Sequence, residues 1–197
     1  MPPNANKTRP RVSLVANFLL GSAAPADDLA ILTADAERYN GFNLLAGKFS
    51  GITESDALLL FSSRDRTAVR AVPPGFHGLS NAFLDTPWPK VVAAKTNLQR
   101  LLASTQSDAR CLTGHLLDLL DDRSVAPDDA LPDTGLEIAR ERALSAVFIR
   151  APGYGTRAST VLIVDRRGRV AFTERRCEPG QPDEVRRFEL DLVAEDR

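Results

Sequence analysis

Two short stretches of this 197-residue chain gather the side chains that could do chemistry. The first, GFHGLSNAFLDTPWPK, runs from Gly75 to Lys90 and holds His77, one of two histidines, and Trp88, the only tryptophan. Its glycines and prolines set backbone angles that no regular helix or strand would keep, which predicts a shaped loop. A histidine fixed there can be a general base, a metal or haem ligand, or a satisfied structural group. The last is favoured, because no second ligand stands at helical or strand spacing from it. Asn81 can donate to a developing oxyanion or hold a carbonyl; equally, it can form an Asx turn before Phe83. The second stretch, GYGTRAST, sets Arg157 among the hydroxyls of Thr156, Ser159 and Thr160 at a strand entrance, a clamp suited to a carboxylate or phosphate. The same residues are also ordinary surface composition. Together the two stretches predict one of two arrangements: a pocket in which Arg157 holds an anionic group, Asn81 orients a carbonyl, and Phe76, Phe83 and Trp88 supply apolar walls, or, equally, a Trp88 packed onto the sheet with Arg157 facing water.

Other reactive types carry less. Cys111 and Cys177 are isolated thiols without ligand spacing, so neither a disulfide scaffold nor a zinc site is indicated. His115 falls a helical turn from Leu112 and Leu119, which predicts a place at a core edge. The pairs Asp121-Asp122 and Asp128-Asp129 lack calcium-loop spacing, and Gly153 and Gly155 precede a strand, where a phosphate-cradling loop would precede a helix. A net charge of −1 gives no bulk attraction to nucleic acid or to an anionic membrane surface. No stretch is apolar for long enough to span a bilayer, and the N-terminus has no signal-like apolar region. A soluble, cytoplasmic protein is expected.

The elements that would position these residues follow from periodicity. Leu14, Val15, Phe18 and Leu19 recur at helical spacing after Thr8, and Gly21 ends that helix. Pro25 opens a second helix with Asp27 and Asp28 in its first turn and Leu29, Leu32 and Ala36 as its inward stripe. Strands are expected over 42–49, 56–62 and 68–72, the first two joined around Ser50-Gly51. Thr86 and Pro87 start a helix with a core face of Val91, Ala94, Leu98, Leu101 and Leu102. Another runs from about Asp108 to Leu120 with Leu112, Leu116 and Leu119 inward. After a loop over 121–135, strands are expected over 144–149, 160–165, 169–175 and 186–192, with Arg166-Arg167-Gly168 as a hairpin turn. Residues 1–7 read as a disordered tail and 8–197 as a single α+β domain.

The loop sequence GFHGLSNAFLDTPWPK resembles the signature of the transport and Golgi organisation protein 2 family, the NRDE-motif proteins. RYNGFNLLAG (Arg38 to Gly47) and ALSAVFIRAPGYGTRASTVLIVDRRGRVAFTERR (Ala143 to Arg176) extend the likeness in family order. Family members open with Met-Cys and soon carry an Asn-Arg-Asp-Glu motif, whereas this chain begins MPPNANKTRPRV. The resemblance is thus to the C-terminal portion, a truncated N-terminus being implied. It further implies an αββα sandwich similar to N-terminal-nucleophile hydrolases, incomplete at its N-terminus. In such enzymes a first-residue Cys, Ser or Thr attacks with its own amine as base; Met1-Pro2-Pro3 offers none. The resemblance therefore implies a non-enzymatic binding or trafficking protein linked to secretory and Golgi organisation, haem trafficking or lipid and acyl-CoA homeostasis. The alternative is an amidohydrolase-like enzyme whose nucleophile segment is absent here. The expected ligand residues are His77, Asn81, Trp88, Arg157, Ser159 and Thr160. No catalytic residue, metal or bound cofactor is expected; haem enters only as a transported ligand. The partner class is a small anionic or amphipathic ligand.

Overall fold

The computed structural model describes residues 9–49, 58–65, 69–104, 108–178 and 180–192. Thr8, the 1–7 tail and the turn at Ser50-Gly51 lie outside them. The chain forms two compact units, one reaching to Gly75 and the other spanning Phe76–Leu192.

In the first unit, helix α1 (Val12–Leu20) stops at Gly21, whose N–H bonds the Asn17 carbonyl at 2.9 Å. Helix α2 (Pro25–Asp35) starts on its proline, whose missing donor costs nothing in a first turn, and it carries Asp27 and Asp28 at the positive end of its dipole. Strands β1 (Asn43–Ala46), β2 (Leu59–Ser62) and β3 (Arg70–Ala71) form an antiparallel sheet in that order. Leu14, Leu29, Ala36, Tyr39, Phe42, Ala46 and Phe61 make the core. Tyr39 meets Phe42 edge-on, and Phe42 tilts against Phe61, each at 5.8 Å between ring centroids. The inward stripe of α1 is narrower than its periodicity suggested. Leu14 is buried and Phe18 packs on the core, but Val15 and Leu19 are exposed. A nine-residue helix has one i, i+4 row to bury, and residues one step round it face water.

In the second unit, helix α3 (Pro89–Ser104) packs beside helix α4 (Ala109–Leu120), and α4 packs on a three-stranded antiparallel sheet. That sheet is β6 (Ala158–Val164), β7 (Arg169–Arg176) and β8 (Glu184–Asp191), in that order. A smaller hairpin joins β4 (Arg150–Ala151) to β5 (Tyr154–Gly155). The β6–β7 turn depends on Gly168, whose φ of +79° suits a residue without Cβ, and Asp165 accepts the N–H groups of Arg167 and Arg169.

Three sequence expectations are corrected here. The buried positions of α4 are Thr113 and Leu117, with Leu112, Leu116 and Leu119 only half-buried. Leu102 of α3 is 41% exposed. Residues 144–149 are not a strand. Helix α5 (Ile138–Leu144) occupies the start of that stretch, and irregular backbone follows. Buried Phe148 donates its N–H to the Asp122 carbonyl, and Ile149 donates to the Thr156 hydroxyl, so the backbone there is satisfied without a ladder. The guanidinium groups of Arg123 and Arg150 lie 5.2 and 5.8 Å from the Phe148 ring.

Candidate functional site

The loop from Phe76 to Trp88 is closed on itself by one carboxylate. Leu79 bridges Leu84 across it, and the Asp85 N–H bonds the Gly78 carbonyl at 2.7 Å. Asp85 sits at φ +59°, a left-handed conformation that Asp tolerates better than most residues. Its Oδ1 accepts from the Gly78 N–H at 3.0 Å and from Lys95 Nζ at 2.5 Å, and its Oδ2 lies 2.6 Å from His77 Nδ1. The bonds from Lys95, His77 and Gly78 hold the Asp85 carboxyl well below the usual carboxylate range. An ionised carboxylate only accepts, so His77 carries its proton on Nδ1. Asp85 thereby fixes the histidine, turns the loop and ties both to α3.

The fit against α3 explains Gly78. A Cβ there would come within 2.6 Å of Val91 Cγ1, and Val91 and Lys95 share one helix row. Beyond the helix start, Lys90 is part-buried. Its ammonium donates to the Leu144 carbonyl at 2.8 Å and lies 5.9 Å from the Trp88 ring centroid. Burial pushes its pKa down, and among the described residues it has no carboxylate partner.

His77, Gly78, Lys90 and Lys95 border a groove of about 580 Å³. His77, Gly78, Leu79 and Ser80 form one wall and Lys90, Val91, Ala94, Lys95 and Leu98 the next. Leu116, Leu119 and Leu120 of α4 add apolar surface, as do Val147 and Leu162, and Thr160 closes the β6 side. Two of the six sequence-derived residues, His77 and Thr160, are therefore brought to one groove. Asn81, Trp88, Arg157 and Ser159 are not among its lining residues. Asn81 and Arg157 are exposed, Ser159 is buried, and Trp88 is half-buried under the Lys90 ammonium. The apolar walls come mainly from the two helices, whereas Phe76 and Phe83, 38% and 46% exposed, do not line the groove.

Sequence reasoning missed Asp85, Lys90 and Lys95. The available signal was the left-handed-tolerant Asp eight residues after His77, followed by Lys95 one turn beyond Val91. His115 is exposed and borders a separate hollow with Asn97 and Leu101. Cys111 is exposed, while Cys177 is buried, and that burial pushes its thiol up. Among the described residues no three His, Cys, Asp or Glu side chains stand close enough to hold a metal ion, and no helix is long and apolar enough to cross a membrane.

Antiparallel sheets with helices beside them, and a groove with apolar walls and a cationic rim, define an α+β protein with a ligand-sized cleft. A family model described as Transport and Golgi organisation 2 matches residues 1–179. The chain is 36% identical over 178 residues to the Transport and Golgi organization protein 2 homolog of Bos taurus, covering 88% of this chain and 64% of that protein. Against the Homo sapiens homolog it is 35% identical over 173 residues, covering 86% and 62%. The chain belongs to the Transport and Golgi organisation 2 family. It spans less than two thirds of the length of these curated relatives.

Proposed function

We propose that this chain has a non-catalytic binding role in Golgi and secretory organisation, at the cytoplasmic side, and that the α3–α4 groove takes a small amphipathic anion. The αββα sandwich belongs to the same reading, supported by helices packed beside antiparallel sheets. The observation that carries the ligand class is Lys90: a part-buried ammonium that has no carboxylate partner among the described residues, at the edge of walls built from Leu98, Leu116, Leu119 and Leu162. An apolar body with a carboxylate head would match both features, since the head would offset the desolvation of the ammonium and the body would cover the leucines. His77 and Thr160 offer polar contacts at the groove's margins. A long-chain acyl carboxylate and a haem propionate share this chemistry.

Titration with a fluorescent fatty acid and, separately, with haem followed by its Soret band distinguishes the two. Saturable binding of either, weakened about tenfold or more by Lys90→Ala, is expected, the loss of one charge-assisted contact being of that order. Absence of saturable binding in both titrations would overturn the ligand class.

A further inference from the structure

The outer edge of β8 is an open template. Each of its eight residues, EVRRFELD, is exposed, and it pairs with β7 one-to-one from Glu184 to Asp191 without a bulge. It contains no Pro and no bulge; its charged side chains, Glu184, Arg186, Arg187, Glu189 and Asp191, would ordinarily discourage edge pairing, but they carry both signs. Leu192 donates its N–H to the Gly168 carbonyl at 2.8 Å, so by strand alternation the backbone groups of Leu190, Phe188 and Arg186 point toward β7. Those of Val185, Arg187, Glu189 and Asp191 point outward. Among the described residues no strand takes them up.

The side chains of this edge are complementary to themselves. In an antiparallel pair related by a two-fold axis normal to the sheet, directly opposed residues must lie on the same face, so only every second register is available. With the axis at Phe188, that residue faces its own copy in a closely spaced, non-hydrogen-bonded pair. Arg187 then faces Glu189 of the other copy, and Glu189 faces its Arg187. The outward backbone groups of these same residues supply the flanking hydrogen bonds. Neither Arg187 nor Glu189 makes an ion pair within the chain among the described residues. Moving the axis by one residue opposes Arg187 to Arg187 or Glu189 to Glu189, which like-charge repulsion disfavours. Phe172 already packs on Phe188, with ring centroids 6.1 Å apart, so the pairing would extend one aromatic row across both copies.

We propose that β8 is a dimerisation edge: two copies of this chain join antiparallel through β8, centred on Phe188, into one six-stranded sheet. Sedimentation of the full 197-residue chain should show a concentration-dependent dimer. Arg187→Glu or Glu189→Arg alone should weaken it by about tenfold or more, since each places two like-charged pairs across the axis. The double variant R187E/E189R restores opposite charges in each copy and should recover the dimer. Phe188→Cys in a Cys111→Ser background should form a disulfide-linked dimer on mild oxidation, because closely spaced pairs meet disulfide geometry, whereas Arg187→Cys should not. The cross-link tests the register even where a charge variant fails to fold. A chain that stays monomeric, a dimer indifferent to the charge reversals, or cross-linking at position 187 in preference to 188 would each overturn the assignment. Capture of a different protein by an otherwise monomeric chain would also overturn it.

Discussion

Asp85 concentrates more of the site's architecture than any other side chain, since one carboxylate binds the loop backbone, the histidine and the helix. Asp85→Asn keeps the shape and removes the charge, so the bonds to Lys95 and His77 weaken together. A loss of about 1–2 kcal/mol in urea unfolding is expected, kept modest because the side chain is 32% exposed. The pH dependence follows from the depressed carboxyl. Its contribution is fully present above the ordinary value of 3.8 and is lost as the pH falls through the lower native value, because the unfolded chain takes up the proton first. The wild-type protein should therefore lose stability on acidification below about pH 4 more steeply than Asp85→Asn does. Gly78 gives a second residue-scale test. Gly78→Ala should cost about 1–3 kcal/mol through the contact with Val91, and adding Val91→Ala should return part of it as a favourable coupling in a double-mutant cycle.

At the scale of elements, α4 shows how a short apolar run can mislead by one position. Its leucines at 112, 116 and 119 suggest the inward face, yet the sheet receives Thr113 and Leu117. Asp108 sets the helix start by accepting the Cys111 N–H at 2.8 Å, and the sheet decides which row faces it. Leu117→Ala should cost about 2–5 kcal/mol, as buried leucines do, whereas Leu102→Gln on α3 should change stability by no more than about 0.5 kcal/mol. Thermal and chemical unfolding of the two variants checks this directly. Leu116, Leu119 and Leu120 of α4 are left to line the groove, which is why that helix serves both the core and the candidate site.

For the molecule as a whole, the notable feature is uncovered apolar surface. Register places Leu162, Phe172 and Phe188 in one row of the β6–β7–β8 sheet and Val164, Val170 and Leu190 in the next. Of these, Leu162 is 57%, Phe188 57% and Leu190 53% exposed. Scattered exposed leucines are ordinary, but adjacent rows on one face are a hydrophobic patch. The folded chain should accordingly bind a hydrophobic fluorescent dye, and Phe188→Thr with Leu190→Thr should lower that signal while the melting transition persists. Edge pairing through β8 would set Phe188 against its own copy, so the dye signal is read at dilutions where the chain is monomeric. A folded chain that leaves the dye dark would count against the patch.

The local chemistry of single residues already determined several elements. Pro25 with its two following aspartates starts α2, and Gly168 after Arg166-Arg167 turns β6 into β7. The quoted loop and strand segments were enough to indicate the family. These features act over a few residues, so sequence alone records them. The strand expected over 144–149 failed because Val147, Phe148 and Ile149 have strand-like side chains, but Phe148 and Ile149 find their hydrogen bonds in Asp122 and Thr156, partners that no local pattern announces. The binding groove was legible only in part. His77 stood out by rarity and Thr160 by its place at a strand entrance. Asp85, Lys90 and the leucine walls acquire their roles from contacts between segments distant in the chain, such as Lys90 with Leu144. Only the tertiary structure could decide those, because burial and charge pairing are set by what the folded chain brings opposite each side chain.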